Sequence, residues 1–142
     1  MKNAKVKDYM SNTVVTISPD QRIKEVLELM NDTNHDGFPV VEGENLVGII
    51  TVRDVMLCKK GDKIANTMSK EVMVTYPETN LLDAARVMFR GGYSRLPVID
   101  EEKRLVGIVT NTDVIRSHIE RATPGKVKKL TESLEKLYSI RT

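Results

Sequence analysis

The chain of 142 residues lacks several features that mark common classes of protein. It contains one cysteine, Cys58, so no disulfide can form within it. This cysteine and the two histidines show no zinc-ligand spacing, and we predict no metal site. No apolar run approaches the ~20 residues that a membrane-spanning helix needs, and the N-terminal sequence MKNAKVKDYM lacks the apolar core of a signal peptide. We therefore expect a cytoplasmic protein without a membrane partner.

The balance of charge also narrows the choice of partner. The 22 basic and 20 acidic side chains leave a net charge of only +2. Tryptophan is absent, and the six aromatic residues do not interleave with basic residues as they do in proteins that bind single strands. These features argue against a nucleic-acid partner, whose usual mark is a strongly basic surface. The remaining composition, 40% hydrophobic and 30% charged, is that of a folded globular protein.

An internal repeat occupies most of the chain. Residues 10–43 align with residues 68–101, and residues 46–56 align with residues 105–115. Identical residues recur in a fixed order: Met-Ser, Pro, Met, Pro-Val, and then Leu-Val-Gly-Ile-x-Thr-x-x-Asp-Val. A unit of this size is marginal alone, so we predict two units that pack together. They occupy residues 1–60 and 61–122, and a tail follows at residues 123–142.

Each copy predicts the element order β-α-β-β-α, which gives a mixed α/β fold of two pseudo-symmetric units. In the first copy, the β-branched run at residues 14–17 predicts a short strand. Apolar residues at helical spacing from Ile23 predict the helix that follows. Asp20 is the expected N-cap of this helix, and Thr79 or Asn80 that of its counterpart.

A hairpin and a second helix complete each predicted unit. The hairpin strands are expected at Phe38–Val41 and Leu46–Ile50, and at Leu96–Ile99 and Leu105–Val109. The first helices should end at residues 34–37 and at Gly91-Gly92, because glycine and asparagine accept the left-handed conformation. The second helices should begin after Thr51 and Thr110.

The tail at residues 123–142 predicts an amphipathic helix. Thr123 and Pro124 are typical of a helix start. An apolar stripe with spacings of three and four follows, at Val127, Leu130, Leu134, Leu137 and Ile140. Such a stripe could pack back on the two units, pair with a second chain or dock on a partner protein, and the sequence leaves these alternatives open.

The segment Gly-h-h-Thr-x-x-Asp, where h is apolar, begins at Gly48 and again at Gly107. Thr and Asp at this spacing form a capping box at a helix start. Glycine inside an apolar strand indicates close approach of a backbone or a ligand. A ligand lying against the glycine would meet backbone N–H groups that favour phosphate and a carboxylate that can bind both ribose hydroxyls. Because capping and binding are compatible, we interpret this segment as nucleotide-binding.

Three sequence features stand in a specific order: the duplicated Met-Ser…Pro, the segments Gly-Phe-Pro-Val-Val and Arg-Leu-Pro-Val-Ile, and the duplicated Leu-Val-Gly-Ile-h-Thr-x-x-Asp. In this order they resemble a pair of CBS domains (cystathionine β-synthase domains), a Bateman module, over about residues 6–120. The resemblance implies up to two clefts that bind AMP, ADP, ATP or S-adenosylmethionine as regulatory ligands. It implies a homodimer that signals to an unidentified effector protein.

No nucleophile, base and oxyanion set surrounds the predicted site, so we expect no enzymatic activity and no required cofactor. The alternative function is a dimerising scaffold or protein-interaction module with vestigial nucleotide sites. A ligand that stabilises the folded protein would favour the regulatory module over the scaffold.

The resemblance also assigns roles to residues. Asp54 and Asp113 match the ribose-binding carboxylate, and Thr51 and Thr110 match the hydroxyl beside ribose or phosphate. Arg95 matches a position that contacts phosphate in some members, and arginine suits that role. The other residues implied around the clefts, chiefly through backbone groups that meet the base, are Thr13, Val15, Thr16, Gly37, Phe38, Pro39, Glu71, Met73, Val74, Ser94, Leu96 and Pro97.

The two predicted clefts differ in charge. The first copy has Gly37 where the second has Arg95, and Asp36 where the second has Ser94. Because an acid at the cleft would repel phosphate, we expect the clefts to be unequal, and the cleft that uses Arg95 to bind the more highly charged nucleotide.

Overall fold

The computed structural model describes residues 4–120, which form two β-hairpins with helices packed around them. The elements, in chain order, are α1 (Val6–Tyr9), α2 (Ile23–Thr33), β1 (Gly37–Glu42), β2 (Asn45–Thr51), α3 (Val52–Met56), a 3-10 turn (Ile64–Asn66), α4 (Leu81–Gly91), β3 (Arg95–Ile99), β4 (Leu105–Thr110) and α5 (Asn111–Glu120). Among them, no helix combines the length and the apolar character needed to cross a membrane. The amphipathic helix predicted at residues 123–142 lies outside the described residues.

The long helices α2 and α4 begin differently. In α4 the predicted N-cap Asn80 is confirmed, since its side chain accepts a hydrogen bond from the Leu82 N–H at 3.1 Å. The predicted N-cap Asp20 is wrong, because α2 begins at Ile23 with Arg22 before it. Backbone carbonyls of the chain between the two units satisfy the first N–H groups of α2 instead: the Ile23 N–H donates to the Asp62 carbonyl at 3.0 Å.

Both long helices end on a residue in the left-handed conformation, as predicted. Asn34 ends α2 with φ of 60°, and Gly92 ends α4 with φ of 72°. This conformation reverses the chain direction within one residue and leads directly into β1 and β3. The strands that follow pair antiparallel with β2 and β4, so Gly37 faces Thr51 and Arg95 faces Thr110. The predicted mixed α/β fold of two similar units is confirmed.

The predicted first strand of each unit is shorter than the sequence indicated. In the first unit only Ile17 pairs, as a single parallel bridge to Val40, and in the second unit Thr75 pairs with Val98 in the same way. The Ile17 N–H donates to the Pro39 carbonyl at 3.0 Å. The run before Ile17 has β-branched residues but no partner strand, and intrinsic preference alone does not form a sheet.

The two hydrophobic cores exchange segments. The core of the first unit contains Ile64, and Met68 packs against it, although both follow the first repeat in sequence. The core of the second unit contains Val6, and Met10 packs against it, although both lie at the start of the chain. The sequence boundaries that we predict for the units, 1–60 and 61–122, therefore do not coincide with the two cores.

Backbone hydrogen bonds fix each exchanged segment to a strand of the other unit. Ser69 and Ile49 exchange a pair of N–H···O bonds, both 2.9 Å long. Ser11 and Ile108 form the same pair, again at 2.9 Å. Each Met-Ser dipeptide therefore extends the hairpin of the opposite unit by one paired residue, which explains why Met-Ser recurs in both copies.

The two strand glycines make room for these crossings. A Cβ atom at Gly48 would lie 2.6 Å from Met68 Sδ and 2.9 Å from the Ser69 carbonyl oxygen. A Cβ atom at Gly107 would lie 2.8 Å from Met10 Sδ and 2.9 Å from the Ser11 carbonyl oxygen. The expectation that a ligand lies against these glycines is therefore wrong. A backbone occupies that space, which is the other cause of a strand glycine.

The hairpin turns of the two units also contact each other. The Leu46 N–H donates to the Lys103 carbonyl at 3.1 Å, and the Leu105 N–H donates to the Glu44 carbonyl at 2.9 Å. Because these bonds join the starts of β2 and β4, the two hairpins hold a fixed relative position at this end.

Asp100 shapes the turn of the second hairpin. Its carboxylate accepts hydrogen bonds from the Arg104 N–H at 2.9 Å, the Arg104 Nε at 2.7 Å and the Glu102 N–H at 3.0 Å. Desolvation raises the pKa of Asp100, but these hydrogen bonds and the charge of Arg104 outweigh it and hold the pKa below its ordinary value. The carboxylate that forms the turn is thus kept ionised.

We predict that Gly107→Ala lowers the free energy of unfolding by about 1–3 kcal/mol, as overpacking does elsewhere. The Met10 side chain can move away from the new methyl group, but the Ser11 carbonyl is held by its bond to Ile108. The measurement is chemical denaturation. Gly61→Ala is the matched control, since a Cβ there meets nothing within 4 Å. Equal stability of the two variants would contradict the crossing contact.

Candidate functional site

Both Thr-x-x-Asp segments form the predicted capping box. In the first unit the Thr51 N–H and Oγ1 donate to Asp54 Oδ2, at 2.9 and 3.1 Å, and the Asp54 N–H donates to Thr51 Oγ1 at 3.5 Å. In the second unit the corresponding distances between Thr110 and Asp113 are 2.8, 3.1 and 3.2 Å. Each carboxylate therefore uses one oxygen, Oδ2, to start the helix and keeps Oδ1 for another partner.

The second carboxyl oxygen distinguishes the two units. Oδ1 of Asp113 accepts a hydrogen bond from the Arg116 guanidinium at 3.1 Å, and the same guanidinium lies 5.1 Å from the centre of the Tyr9 ring. The residue equivalent to Arg116 in the first unit is Leu57. Within residues 4–120, Oδ1 of Asp54 has no hydrogen bond, so this oxygen is available to a ligand.

A cleft of about 420 Å³ opens between the two units. Its walls come from the paired strands β1 and β2 on one side and from the chain leading into β3 on the other. The residues that line it are Asp36, Gly37, Pro39, Ile49, Thr51, Val52, Arg53, Gly91, Gly92, Tyr93, Ser94, Arg95, Pro97 and Ile108. This volume lies in the range of small-molecule sites.

Arg95 and Asp36 both line this cleft, so the expectation that the acid and the arginine belong to different clefts is wrong. The Arg95 Nε lies 3.9 Å from Asp36 Oδ1, which is an ion pair but too long for a hydrogen bond. Asp36 is mostly exposed, whereas Arg95 keeps only 25% of its side chain exposed. The Nε itself is buried, and no acceptor within the described residues bonds to it. A buried donor without an acceptor is unusual and costly, and it marks a place where an anion would be favourable.

Strand alternation decides which predicted residues reach the cleft. Gly37 and Pro39 in β1, and Arg95 and Pro97 in β3, lie on the side that lines it. The intervening Phe38 and Leu96 point into the two cores and are almost fully buried. Any contact that these two residues make with a ligand is therefore limited to their backbone groups.

Several residues implied around the clefts lie away from this one. Thr16 lines a separate cavity of about 210 Å³ with Asn12 and Gly43. Four more residues are largely exposed, namely Thr13, Val15, Glu71 and Met73, and Val74 is half-buried. Thr110 and Asp113 form their capping box outside the lining of the cleft. The roles given to these residues stay predictions.

Two arginines near the predicted carboxylates were not predicted as site residues. Arg53 lines the cleft, and its place between Thr51 and Asp54 could have indicated this. Arg116 bonds to Asp113 from one helical turn away. The sequence signal for Arg116 was the difference between the two copies at this position, where the first unit has leucine.

Two stretches of the chain, residues 6–60 and 63–120, each match the CBS domain family. Because these matches cover most of the sequence, the chain belongs to the CBS domain family and carries two consecutive CBS domains. The uncharacterized protein MJ0188 of Methanocaldococcus jannaschii is 44% identical over 142 residues, covering 98% of this chain and 54% of that protein. The chain thus spans about half the length of this relative.

Solved structures of CBS pairs share the fold. CBSX2 in complex with AMP superposes with a TM-score of 0.76 at 26% identity, over 82% of this chain and 96% of that one. The CBS pair of protein MJ0100, in complex with 5-methylthioadenosine and S-adenosyl-L-methionine, superposes with a TM-score of 0.73 at 28% identity, over 85% and 100%. Both neighbours are bound to adenosine compounds.

We predict that Thr51→Val and Thr110→Val each lower the free energy of unfolding by about 1 kcal/mol, because the cap of α3 or α5 is lost. Thr51→Ser keeps the hydroxyl and is the control that retains most of the stability. Chemical denaturation without any ligand measures this structural role separately from binding. If Thr51→Val unfolds like the unchanged protein, the hydroxyl does not hold the start of α3.

Proposed function

We propose that this chain is a non-catalytic regulatory module that binds an adenosine nucleotide or derivative in the cleft between its two CBS domains. The observation that supports it most strongly is the Arg95 side chain, which lines the cleft and whose buried Nε has no acceptor among the described residues. The adenosine compounds bound to CBSX2 and to MJ0100 support the class of ligand.

A phosphate group would complete the surroundings of Arg95. Its oxygens accept the charge-assisted hydrogen bonds that guanidinium donors form, and these bonds are about twice as strong as neutral ones. The 3.9 Å ion pair with Asp36 leaves the guanidinium partly compensated but not hydrogen-bonded at Nε. Asp36 competes with phosphate for Arg95 and repels it, so this pair sets how many phosphates the cleft accepts.

The ribose would bind to the first unit. Thr51 lines the cleft, and Asp54, which lies outside the lining but is joined to Thr51 by the capping box, keeps Oδ1 available. A carboxylate oxygen in this position can accept from ribose hydroxyls. In the second unit Arg116 already occupies the corresponding oxygen of Asp113. We therefore assign the stronger site to the cleft of Thr51 and Arg95, with Asp54 beside Thr51.

Signalling follows from where the ligand would make its contacts. Gly37 and Thr51 belong to the first unit, whereas Arg95 belongs to the second. A ligand that touches both favours the arrangement of the two units in which all contacts form, and this difference in affinity shifts the population. This proposal includes the homodimer and the effector protein that the family resemblance implies. Both would respond to the change in population of the two arrangements.

We predict that an adenosine compound raises the temperature of unfolding. At a hundredfold excess over the dissociation constant, a ligand that binds only the folded state stabilises it by about 2.7 kcal/mol. Thermal unfolding with AMP, ADP, ATP and S-adenosylmethionine in turn measures the effect. No shift with any of them would contradict the proposal and favour the dimerising scaffold with vestigial sites.

Variants in the cleft should change this shift in opposite directions. Arg95→Gln removes the charge and should reduce the shift with AMP, ADP or ATP, whereas Asp36→Asn removes the repulsion and should increase it. Arg86→Gln is the matched control, since Arg86 pairs with Asp83 on an exposed helix face. Nucleotide titrations by calorimetry measure each affinity. Unchanged affinity in Arg95→Gln would show that phosphate binds elsewhere.

The carboxylates of Asp54 and Asp113 should also differ in how much they contribute to nucleotide affinity. Asp54→Asn should weaken binding by about tenfold or more, since a charged hydrogen-bond partner contributes about 1.5–3 kcal/mol. Asp113→Asn should change it little. The reverse order would place the principal site in the second unit.

A further inference from the structure

The Arg116 guanidinium lies where α5 meets α1 and contacts both helices. Its Nη2 donates to Asp113 Oδ1 at 3.1 Å and to the Tyr9 carbonyl at 3.0 Å. Its central carbon lies 5.1 Å from the centre of the Tyr9 ring, within the range of a cation–π contact, and its Nη1 lies 4.0 Å from Glu120 Oε1. An exposed ion pair within one helix contributes little alone, but these contacts together hold the guanidinium beside the Asp113 carboxylate.

The ring that receives Arg116 is itself fixed in place. Tyr9 Oη donates to Glu120 Oε2 at 2.7 Å, which joins the ring to the last residue of α5. Tyr9 also comes directly before the Met-Ser crossing, whose Ser11 pairs with Ile108 in β4. The contacts of Arg116 therefore belong to the same exchange of segments that joins the two units.

Within residues 4–120, the first unit has none of these contacts, although it has the same capping box. Leu57, at the position of Arg116, is 82% exposed, and Thr67 stands at the position of the tyrosine. The helix α3 ends at Met56, so no further helical turn follows to carry an acid like that at the end of α5. Because the capping box of the first unit forms without an arginine, the arginine of the second unit is not needed to build it.

The acceptor capacity left on the two carboxylates differs by this one bond. An ionised carboxylate has about four acceptor positions, shared equally between its oxygens. In both units the capping threonine fills those of Oδ2 through its N–H and its Oγ1. Among the described residues nothing donates to Asp54 Oδ1, so both of its positions stay open to the two hydroxyls of a ribose. Arg116 takes one of the two positions on Asp113 Oδ1.

We propose that Arg116 closes the nucleotide site of the second unit by occupying an acceptor position that the ribose needs. This inference rests on the proposed function, in which Asp54 receives the ribose. For Asp113 to receive a ribose in the same way, the guanidinium must leave, and its contacts with Tyr9 are lost with it. Arg116 is therefore the residue that determines which of the two duplicated motifs binds the ligand.

Calorimetric titration of the full chain with AMP and, in parallel, with S-adenosylmethionine tests this, since both compounds carry a ribose. In the unchanged chain the second site should be weaker than the first by about tenfold or more, which is the contribution of a charged hydrogen bond. Arg116→Leu introduces the residue of the first unit and should tighten the second site by that factor. Arg116→Ala should give the same result. Both variants should fold, because the Arg116 side chain is 50% exposed.

Two further variants show whether the tightened site uses Asp113. Adding Asp113→Asn to Arg116→Leu should remove the gain. Arg86→Leu is the matched control, since Arg86 pairs with Asp83 at 3.0 Å and at the same spacing on the exposed face of α4, and it should leave the second site weak. In an NMR titration the Thr110 amide should shift at lower ligand concentration in Arg116→Leu than in Arg86→Leu.

Three results would overturn the inference. A second site that stays equally weak in Arg116→Leu and Arg116→Ala would show that the arginine does not close it, and the proposed function would still stand on the first site. Weaker binding in both variants would show that Arg116 is a contact of the ligand. No binding of either compound to the unchanged chain or to any variant would count against the proposed function as well.

Discussion

The structure depends on the contact between each Met-Ser dipeptide and a glycine in a strand of the opposite unit. Ser69 pairs with Ile49, and Ser11 pairs with Ile108, so each hairpin gains a neighbour from the first segment of the other unit. The side chains of Met68 and Met10 fill the space above Gly48 and Gly107. Neither unit completes its core from its own repeat, and this exchange makes two marginal units into one structure.

The exchange also determines the geometry of the cleft. Gly48 and Thr51 lie on the same strand, so the crossing that fixes the glycine also fixes the end of β2, where Thr51 begins α3. The hydrogen bonds between the hairpin turns at Leu46 and Leu105 hold the other ends of β2 and β4. With both hairpins held at two places, Thr51 and Arg95 stand on opposite walls at a defined separation. A ligand that bridged them, as we propose, would meet a preformed site, which would limit the entropy lost on binding.

Much of the fold could be predicted because it depends on local signals that occur twice. The hairpins, the helices after Thr51 and Thr110, and the helix ends at Asn34 and Gly92 all follow from patterns within a few residues. Three features depend on segments distant in sequence: the shortness of the first strand, the failure of Asp20 to cap α2, and the crossing at Gly48. The glycine pattern correctly indicated a close approach, but only the tertiary structure shows that a backbone approaches.

The candidate site likewise has features that the local sequence predicts and features that only the tertiary structure shows. The capping boxes could be predicted, because Thr and Asp three residues apart satisfy each other locally. The family resemblance supplied Arg95, but its buried Nε and its ion pair with Asp36 become apparent only when the two units face each other. The inequality of the carboxylates depends on one substitution, Arg116 against Leu57. As a result, Asp113 Oδ1 bonds to an arginine, whereas Asp54 Oδ1 has no such partner within the described residues.

We propose that the cleft of Thr51 and Arg95 is the principal nucleotide site. Amide chemical-shift mapping by NMR during a titration with AMP tests it most directly. The account predicts that the amides of Gly37, Thr51 and Arg95 shift first, and that those of Thr110 and Asp113 shift little or only at higher concentration. Shifts that begin at Thr110 and Asp113, or no localised shifts at all, would contradict it.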